Sequence, residues 1–179
     1  MAISGYTTYR DWQAGKAASA LDAALVAKAD NRQLLEQVAR EFASTPSGLW
    51  ANIELAQLDE KDNQRAKALA RYEEIAASLS ATSPLKPLVL FKIGGLHERE
   101  KQLDKALASF GQLAAVPGFE AEASRSMGRV QEELGNKEQA AAMYNKYLEL
   151  TGGASAPGQQ APRDPEREMV RFRLNRLKK

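Results

Sequence analysis

Residues 94–110 read GGLHEREKQLDKALASF and residues 128–144 read GRVQEELGNKEQAAAMY, two stretches that share an outline at a fixed offset of 34 residues. Gly94 and Gly128, Ala106 and Ala140, and Phe110 and Tyr144 occupy equivalent places. A period of this length predicts a helix-turn-helix unit stacked on a copy of itself, because one such pair cannot bury its apolar face alone. A glycine inside a helix costs about 1 kcal/mol relative to alanine, so two at equivalent positions need a steric reason. Gly94 is expected to face Ala106 and Gly128 to face Ala140, which lets each hairpin close tightly. Phe110 and Tyr144 are expected to fill the space between neighbouring hairpins. The fold class that follows is an all-α solenoid of antiparallel helix pairs.

Outward from these two hairpins the pattern weakens but persists. The third hairpin is expected from about Leu88 to Ala115, closing at Pro117-Gly118, and the fourth from about Glu120 to Leu150 with Gly135 at its turn. A second hairpin begins near Leu49, with Leu55 and Ala56 in its first helix and Ala68 and Tyr72 in its second. Ala68 lies 38 residues before Ala106, and the stretch Ser83-Pro84-Leu85-Lys86-Pro87 supplies the four extra residues as a turn. Before it, Ala14, Ala17, Leu21 and Leu25 predict a long opening helix, and Leu34, Leu35, Val38 and Phe42 a shorter one that Thr45-Pro46 terminates. These two form a degenerate first hairpin over residues 1–46, followed by three hairpins over 47–150. Residues 151–163, rich in Gly, Ala, Pro and Gln, are expected to be a flexible loop. Asp164-Pro165 then starts a closing helix over 164–179 whose Val170, Leu174 and Leu177 cap the last hairpin.

Composition narrows the function classes. Strong helix formers dominate and β-branched residues are sparse. The net charge of +2 is uneven: from Arg163 onward there are seven basic and three acidic residues, so the remainder is negative. A nucleic-acid binder normally carries its positive charge as a stripe on the folded body, so a positive charge that belongs to the tail counts against that class. With no cysteine and the single histidine His97, disulfides and thiolate metal sites are absent and no cofactor is expected. His97 falls where the repeat places a packing residue and reads as structural. Gly94-Gly95 and Gly152-Gly153 lack the lysine and flanking pattern of a phosphate-binding loop. No enzyme chemistry suggests itself.

Binding chemistry does. In stacked hairpins the first helix of each pair lines the concave side. With Gly94 and Gly128 as the frame, Leu88, Phe91 and Gly95 face the groove in the third unit, Glu122, Arg125 and Arg129 in the fourth, and Trp50, Ile53 and Gln57 in the second. Arg125 and Arg129, one helical turn apart, would hold a carboxylate while Trp50 and Phe91 anchor apolar side chains. The alternative is internal: Glu122, Glu132 and Glu133 satisfy both arginines, or the opening helix lies in the groove.

These residues carry two resemblances. Arg125 and Arg129 resemble half of the carboxylate clamp of chaperone-binding tetratricopeptide domains, although the clamp's asparagines have no counterpart at Ile53, Gln57 or Gly95. Over nearly the whole chain, the segments SGLWANIELAQ (47–57), FEAEASRSMG (119–128) and MVRFRLNRL (169–177) resemble the bacterial membrane-anchored tetratricopeptide family of ancillary SecYEG translocon subunits. That resemblance implies an N-terminal anchor in the inner membrane, a periplasmic helical domain, and association with the translocon and periplasmic chaperones. The opening MAISGYTTYRDW (1–12), with Tyr6, Tyr9 and Trp12 beside Arg10, reads as the end of such an anchor at a membrane interface. The alternative is a cytosolic adaptor or self-assembling solenoid with no membrane link.

Overall fold

The computed structural model describes residues 2–27, 31–152 and 164–178, and for residues 2–9 the backbone alone. Among the described residues all regular structure is helical: α1 (Ala2–Val26), α2 (Asn31–Glu41), α3 (Pro46–Lys61), α4 (Arg65–Ser78), α5 (Lys86–Arg99), α6 (Leu103–Ala114), α7 (Glu120–Glu133), α8 (Lys137–Leu150) and α9 (Pro165–Leu177). Of residues 151–163, expected to be a flexible loop, 153–163 lie outside the described residues, as do the side chains of Tyr6 and Tyr9. The chain divides into two compact units, Met1–Leu79 and Ser80–Lys179, and the division falls inside the stretch 47–150.

Helix starts follow the local chemistry. Thr45 caps α3 by accepting the Gly48 N–H at 3.2 Å, and Pro46 occupies the first turn, where its missing N–H is no loss. Thr45-Pro46 therefore opens α3 instead of terminating α2, which ends earlier, at Glu41. For the same reason Lys86 and Pro87, expected in the preceding turn, already belong to α5. The Asp164 carboxylate accepts the N–H groups of Glu166 and Arg167 at 2.9 and 3.3 Å and starts α9.

Three hairpins turn in the same way. The α3–α4, α5–α6 and α7–α8 connections are residues 62–64, 100–102 and 134–136, with Asn63, Lys101 and Gly135 left-handed at φ 60°, 59° and 80°. In each, the next N–H reaches back to the carbonyl five residues earlier: Gln64 to Asp59, Gln102 to His97 and Asn136 to Gln131, at 2.7, 2.8 and 2.9 Å. This is the helix-ending pattern that satisfies the last carbonyls of one helix and reverses the chain.

Within the first unit α1 packs on α2 and α3 around Ala24, Leu35, Val38, Ala51 and Leu55. The inward stripe of α1 is Ala17, Leu21 and Ala24. Ala14 and Leu25, expected on that stripe, are exposed, because the helical period carries them to its flanks.

The second unit holds the hairpins α5–α6 and α7–α8 and closes on α9. A Cβ placed on Gly94 would stand 2.5 Å from the ring of Phe110, and one on Gly128 would stand 2.6 Å from the ring of Tyr144. The glycines thus face the aromatic ring of their own second helix, not Ala106 and Ala140 as the sequence suggested, because a flat ring fills the inter-helix space that a methyl group cannot. The same rings also reach the following helix. Phe110 clusters with Ala123 and Val130 of α7, and Tyr144 with Val170 and Leu174 of α9.

A carboxylate recurs beneath each turn. Glu60 accepts the Tyr72 hydroxyl at 3.0 Å, and Glu132 accepts the Tyr144 hydroxyl at 2.8 Å. The third hairpin carries Phe110, which has no hydroxyl, and its Glu98 takes the Arg129 guanidinium of α7 instead. Glu132 also pairs with Arg173, at 2.9 Å, and with Arg176, so one largely buried carboxylate ties α9 to the fourth hairpin. Burial alone would push the Glu132 carboxyl up, but the Tyr144 hydroxyl and the two arginines outweigh it and hold it below the ordinary glutamate range. Burial and Glu132 push the Tyr144 phenol up to about 12.

Gly128→Leu is expected to lower stability by about 1–3 kcal/mol, since the new side chain must displace the Tyr144 ring. Gly111→Ala, where a Cβ meets no atom within 4 Å, is expected to raise it by up to about 1 kcal/mol. Thermal and urea denaturation of the pair check both signs.

Glu132→Gln is expected to cost about 1–3 kcal/mol at neutral pH. Because the folded carboxyl titrates below the ordinary value of 4.5, its contribution is present above that pH and lost as the pH falls further. The gap between wild type and variant in chemical denaturation should therefore narrow from pH 6 toward pH 3. For Tyr144 the sign is opposite: its contribution holds below pH 10 and fades toward pH 12.

Candidate functional site

The first helices of the two hairpins in the second unit, α5 and α7, flank an open cleft of about 350 Å³. Its walls are apolar: Pro84 comes from the turn before α5, Pro87, Leu88 and Phe91 from the first two turns of α5, Leu113 from α6, and Phe119 from the residue before α7. Glu122 and Arg125 of α7 supply the charge. Leu88 and Phe119 are 37% and 39% exposed, high for large apolar side chains in a packed domain. Phe91 is held between surface and core, its ring 6.2 Å from that of Phe110. The ring that closes the hairpin therefore also supports the cleft.

Of the residues the sequence nominated for a groove, Leu88, Phe91 and Arg125 line this cleft together. Arg129 does not; it borders a separate cavity of about 40 Å³ with Arg125, Tyr144, Glu166, Val170 and Arg173. The two arginines are not a free pair. Arg129 makes a two-pronged bond to Glu98 at 2.5 and 2.7 Å, which holds its guanidinium above the ordinary value despite burial. Burial alone would lower Arg125, but Glu122 at 2.7 Å and Glu166 at 3.2 Å raise it overall. A carboxylate clamp made of both residues is thus corrected to two internal ion pairs. Glu122 was foreseen as a partner; Glu98 and Glu166 were not, and Glu132 is engaged with α9.

Trp50, Ile53 and Gln57 lie on α3 in the first unit. Trp50 is 39% exposed and Gln57 partly so, but Ile53 is 1% exposed and presents no surface to a partner. The physical reason is that α3 packs against α1, α2 and α4, which leaves it few open faces. Near the end of α3 sits a group that sequence reasoning missed: Asp59, fully buried, bonded to Arg32 at 2.7 Å and Arg71 at 2.8 Å, with Lys67 at 3.5 Å. Burial alone would raise Asp59, and the cations from α2 and α4 reverse that. Asp59 occupies the place of His97 and Gln131 in the later turns, and that recurrence was the available signal. His97 is buried and its Nδ1 lies 2.9 Å from Gln102 Oε1, a turn contact. No group of three histidine or acidic side chains at metal-binding distance occurs among the described residues.

Solved structures with the same arrangement are helical repeat proteins. A kinesin light chain of Podosopora anserina with nearly identical TPR-like repeats is 18% identical at a TM-score of 0.62, covering 93% of this chain and 84% of that one. A tetratricopeptide repeat protein from Parabacteroides merdae is 15% identical at a TM-score of 0.65, covering 94% and 59%. A MamA structure is 22% identical at a TM-score of 0.59, covering 80% and 78%. At these identities the likeness concerns the fold. No curated protein matches the sequence. A family profile described as Tetratricopeptide repeat-like domain matches residues 1–179. The chain therefore belongs to the tetratricopeptide repeat-like domain family, whose repeats form protein-binding scaffolds.

Proposed function

We propose that this protein is a binding module of the bacterial cell envelope that captures partner segments in the α5–α7 cleft, working beside the Sec translocon and periplasmic chaperones. The observation that carries the binding reading is the cleft: exposed Leu88 and Phe119, with Phe91 beneath, offer apolar area beside the Glu122–Arg125 ion pair. Burying apolar area at about 25 cal/mol per Å² supplies the affinity. Such a site takes apolar side chains of an extended or helical segment and needs no cofactor. The envelope reading is supported by the resemblance of residues 47–57, 119–128 and 169–177 to translocon-associated tetratricopeptide proteins. On this reading an anchor in the inner membrane precedes the helical domain. No described helix is itself long and apolar enough to cross a membrane.

Arg125 also touches Glu166 of α9, so replacing it changes the cap as well as the cleft. Leu88 is the cleaner probe. Leu88→Asp is expected to weaken partner capture at least tenfold with helicity by circular dichroism unchanged. A photocrosslinking residue at position 88, compared in cells with one at exposed Glu138 of α8, is expected to give adducts with inner-membrane or periplasmic proteins from position 88 alone. Identical adducts from both positions would remove the cleft as the site. Adducts with cytosolic proteins only would favour the cytosolic adaptor.

A further inference from the structure

α9 brings together two features that the rest of the chain keeps apart. From Arg163 onward seven basic residues stand against three acidic ones, while the remainder of the chain is net negative. On the same helix Phe172 is 67% exposed, the most exposed aromatic side chain among the described residues. Val170, Leu174 and Leu177 face the fourth hairpin, so α9 carries apolar side chains on its outer side as well as its inner one. Met169, one turn before Phe172, is also exposed but borders the small cavity beside Arg173. Phe172 is the ring that has no place in the core clusters of the second unit.

Some of the cations are engaged within the fold. Arg173 and Arg176 pair with Glu132, and Arg167 donates to the Thr151 carbonyl. Arg171 and Lys178 are exposed and pair with no described residue. Seven residues apart, they stack on one flank of the outward face, with Phe172 beside them. Glu168 is the carboxylate on that face, since Glu166 turns to Arg125.

The same face is closed to a further hairpin. Arg173 reaches Glu132 as Arg129 of α7 reaches Glu98, and the two glutamates are one repeat apart. The residue before that arginine is Gly128 in α7, where the Tyr144 ring of α8 lies, but Phe172 in α9. A helix packed on α9 as α8 packs on α7 would have to enter the space that the Phe172 ring fills.

We propose that the outward face of α9 rests on an anionic phospholipid bilayer, with Phe172 at the boundary between headgroups and acyl chains and Arg171 and Lys178 among the phosphates. A nucleic acid or an acidic protein would answer the cations and leave the ring in water. A bilayer answers both at once, because its charged surface lies directly over its apolar interior. This goes beyond the envelope reading by giving α9 a role of its own, and purified protein with vesicles tests it whatever the cleft binds.

Wild type is expected to co-sediment with vesicles of phosphatidylcholine mixed with phosphatidylglycerol, less so as salt is raised, and not with phosphatidylcholine alone. Arg171→Gln and Lys178→Gln are each expected to lower the partition about fivefold. Phe172→Ser is expected to lower it without altering its salt dependence. All three sites are exposed, so circular dichroism should not change. Depth gives an independent readout. Emission added by Phe172→Trp, over that of Trp12 and Trp50, should shift to the blue on mixed vesicles and be quenched by brominated acyl chains. Emission added by Glu138→Trp on exposed α8 should do neither. Failure of wild type to bind mixed vesicles, or binding that survives all three substitutions, would overturn the proposal. So would equal quenching at positions 172 and 138, or competition by free polyglutamate as strong as that by added anionic vesicles.

Discussion

The close approach of an aromatic ring to a helix glycine governs the second unit. Phe110 lies on Gly94 and Tyr144 on Gly128, so α5 meets α6, and α7 meets α8, at a separation that any side chain at the glycine would forbid. Each ring does more than close its hairpin. Phe110 supports Phe91 at the cleft and joins Ala123 and Val130 of the next helix, and Tyr144 carries Val170 and Leu174 of α9. A flat side chain with two faces and an edge can serve three helices at once, which a branched aliphatic residue of similar volume cannot. Cleft and cap both inherit their positions from this contact.

Charge supplies the stitching between successive hairpins. Glu98 and Glu132 occupy one repeat position, and each accepts an arginine from the following first helix or its stand-in, α9. In the first unit Asp59 gathers Arg32, Lys67 and Arg71. Carboxylates this poorly solvated need their cations, and removing one partner strands the other in a low-dielectric setting. The arrangement also explains why the arginines of α7 look like a ligand clamp in the sequence: guanidinium groups one turn apart suit a carboxylate, and the protein supplies its own.

The repeat was legible because its steric demand falls on rare residues. A glycine within an alanine-rich and leucine-rich helix stands out, and its recurrence with an aromatic residue 16 positions later fixes hairpin length without further information. The closing helix was legible from Asp164-Pro165 for similar reasons of local chemistry. The cleft was half legible: Leu88, Phe91 and Arg125 followed from the repeat frame, but Phe119 sits in a connection where no period applies. Ile53 failed because packing on α3 from three helices overrides a frame taken from other hairpins. The Glu98–Arg129 pair was hidden because its members lie 31 residues apart, and a charged residue on a helix reads by default as solvated. Facing of the glycines went astray for a simpler reason, since small residues in two helices suggest mutual contact until a ring is placed between them.

The three short turns bear on how quickly the chain reaches this structure. Each hairpin joins helices that are sequence neighbours through three residues, and each turn is locked by a bond spanning only five. Little loop entropy is lost before the first favourable contact forms, so each hairpin is a nucleus in its own right and growth proceeds to the neighbouring helices. α9 differs, because the chain from Thr151 to Asp164 must close before Glu132 can gain its arginines. The helix that seals the last hairpin therefore carries a larger closure cost than the three-residue turns do.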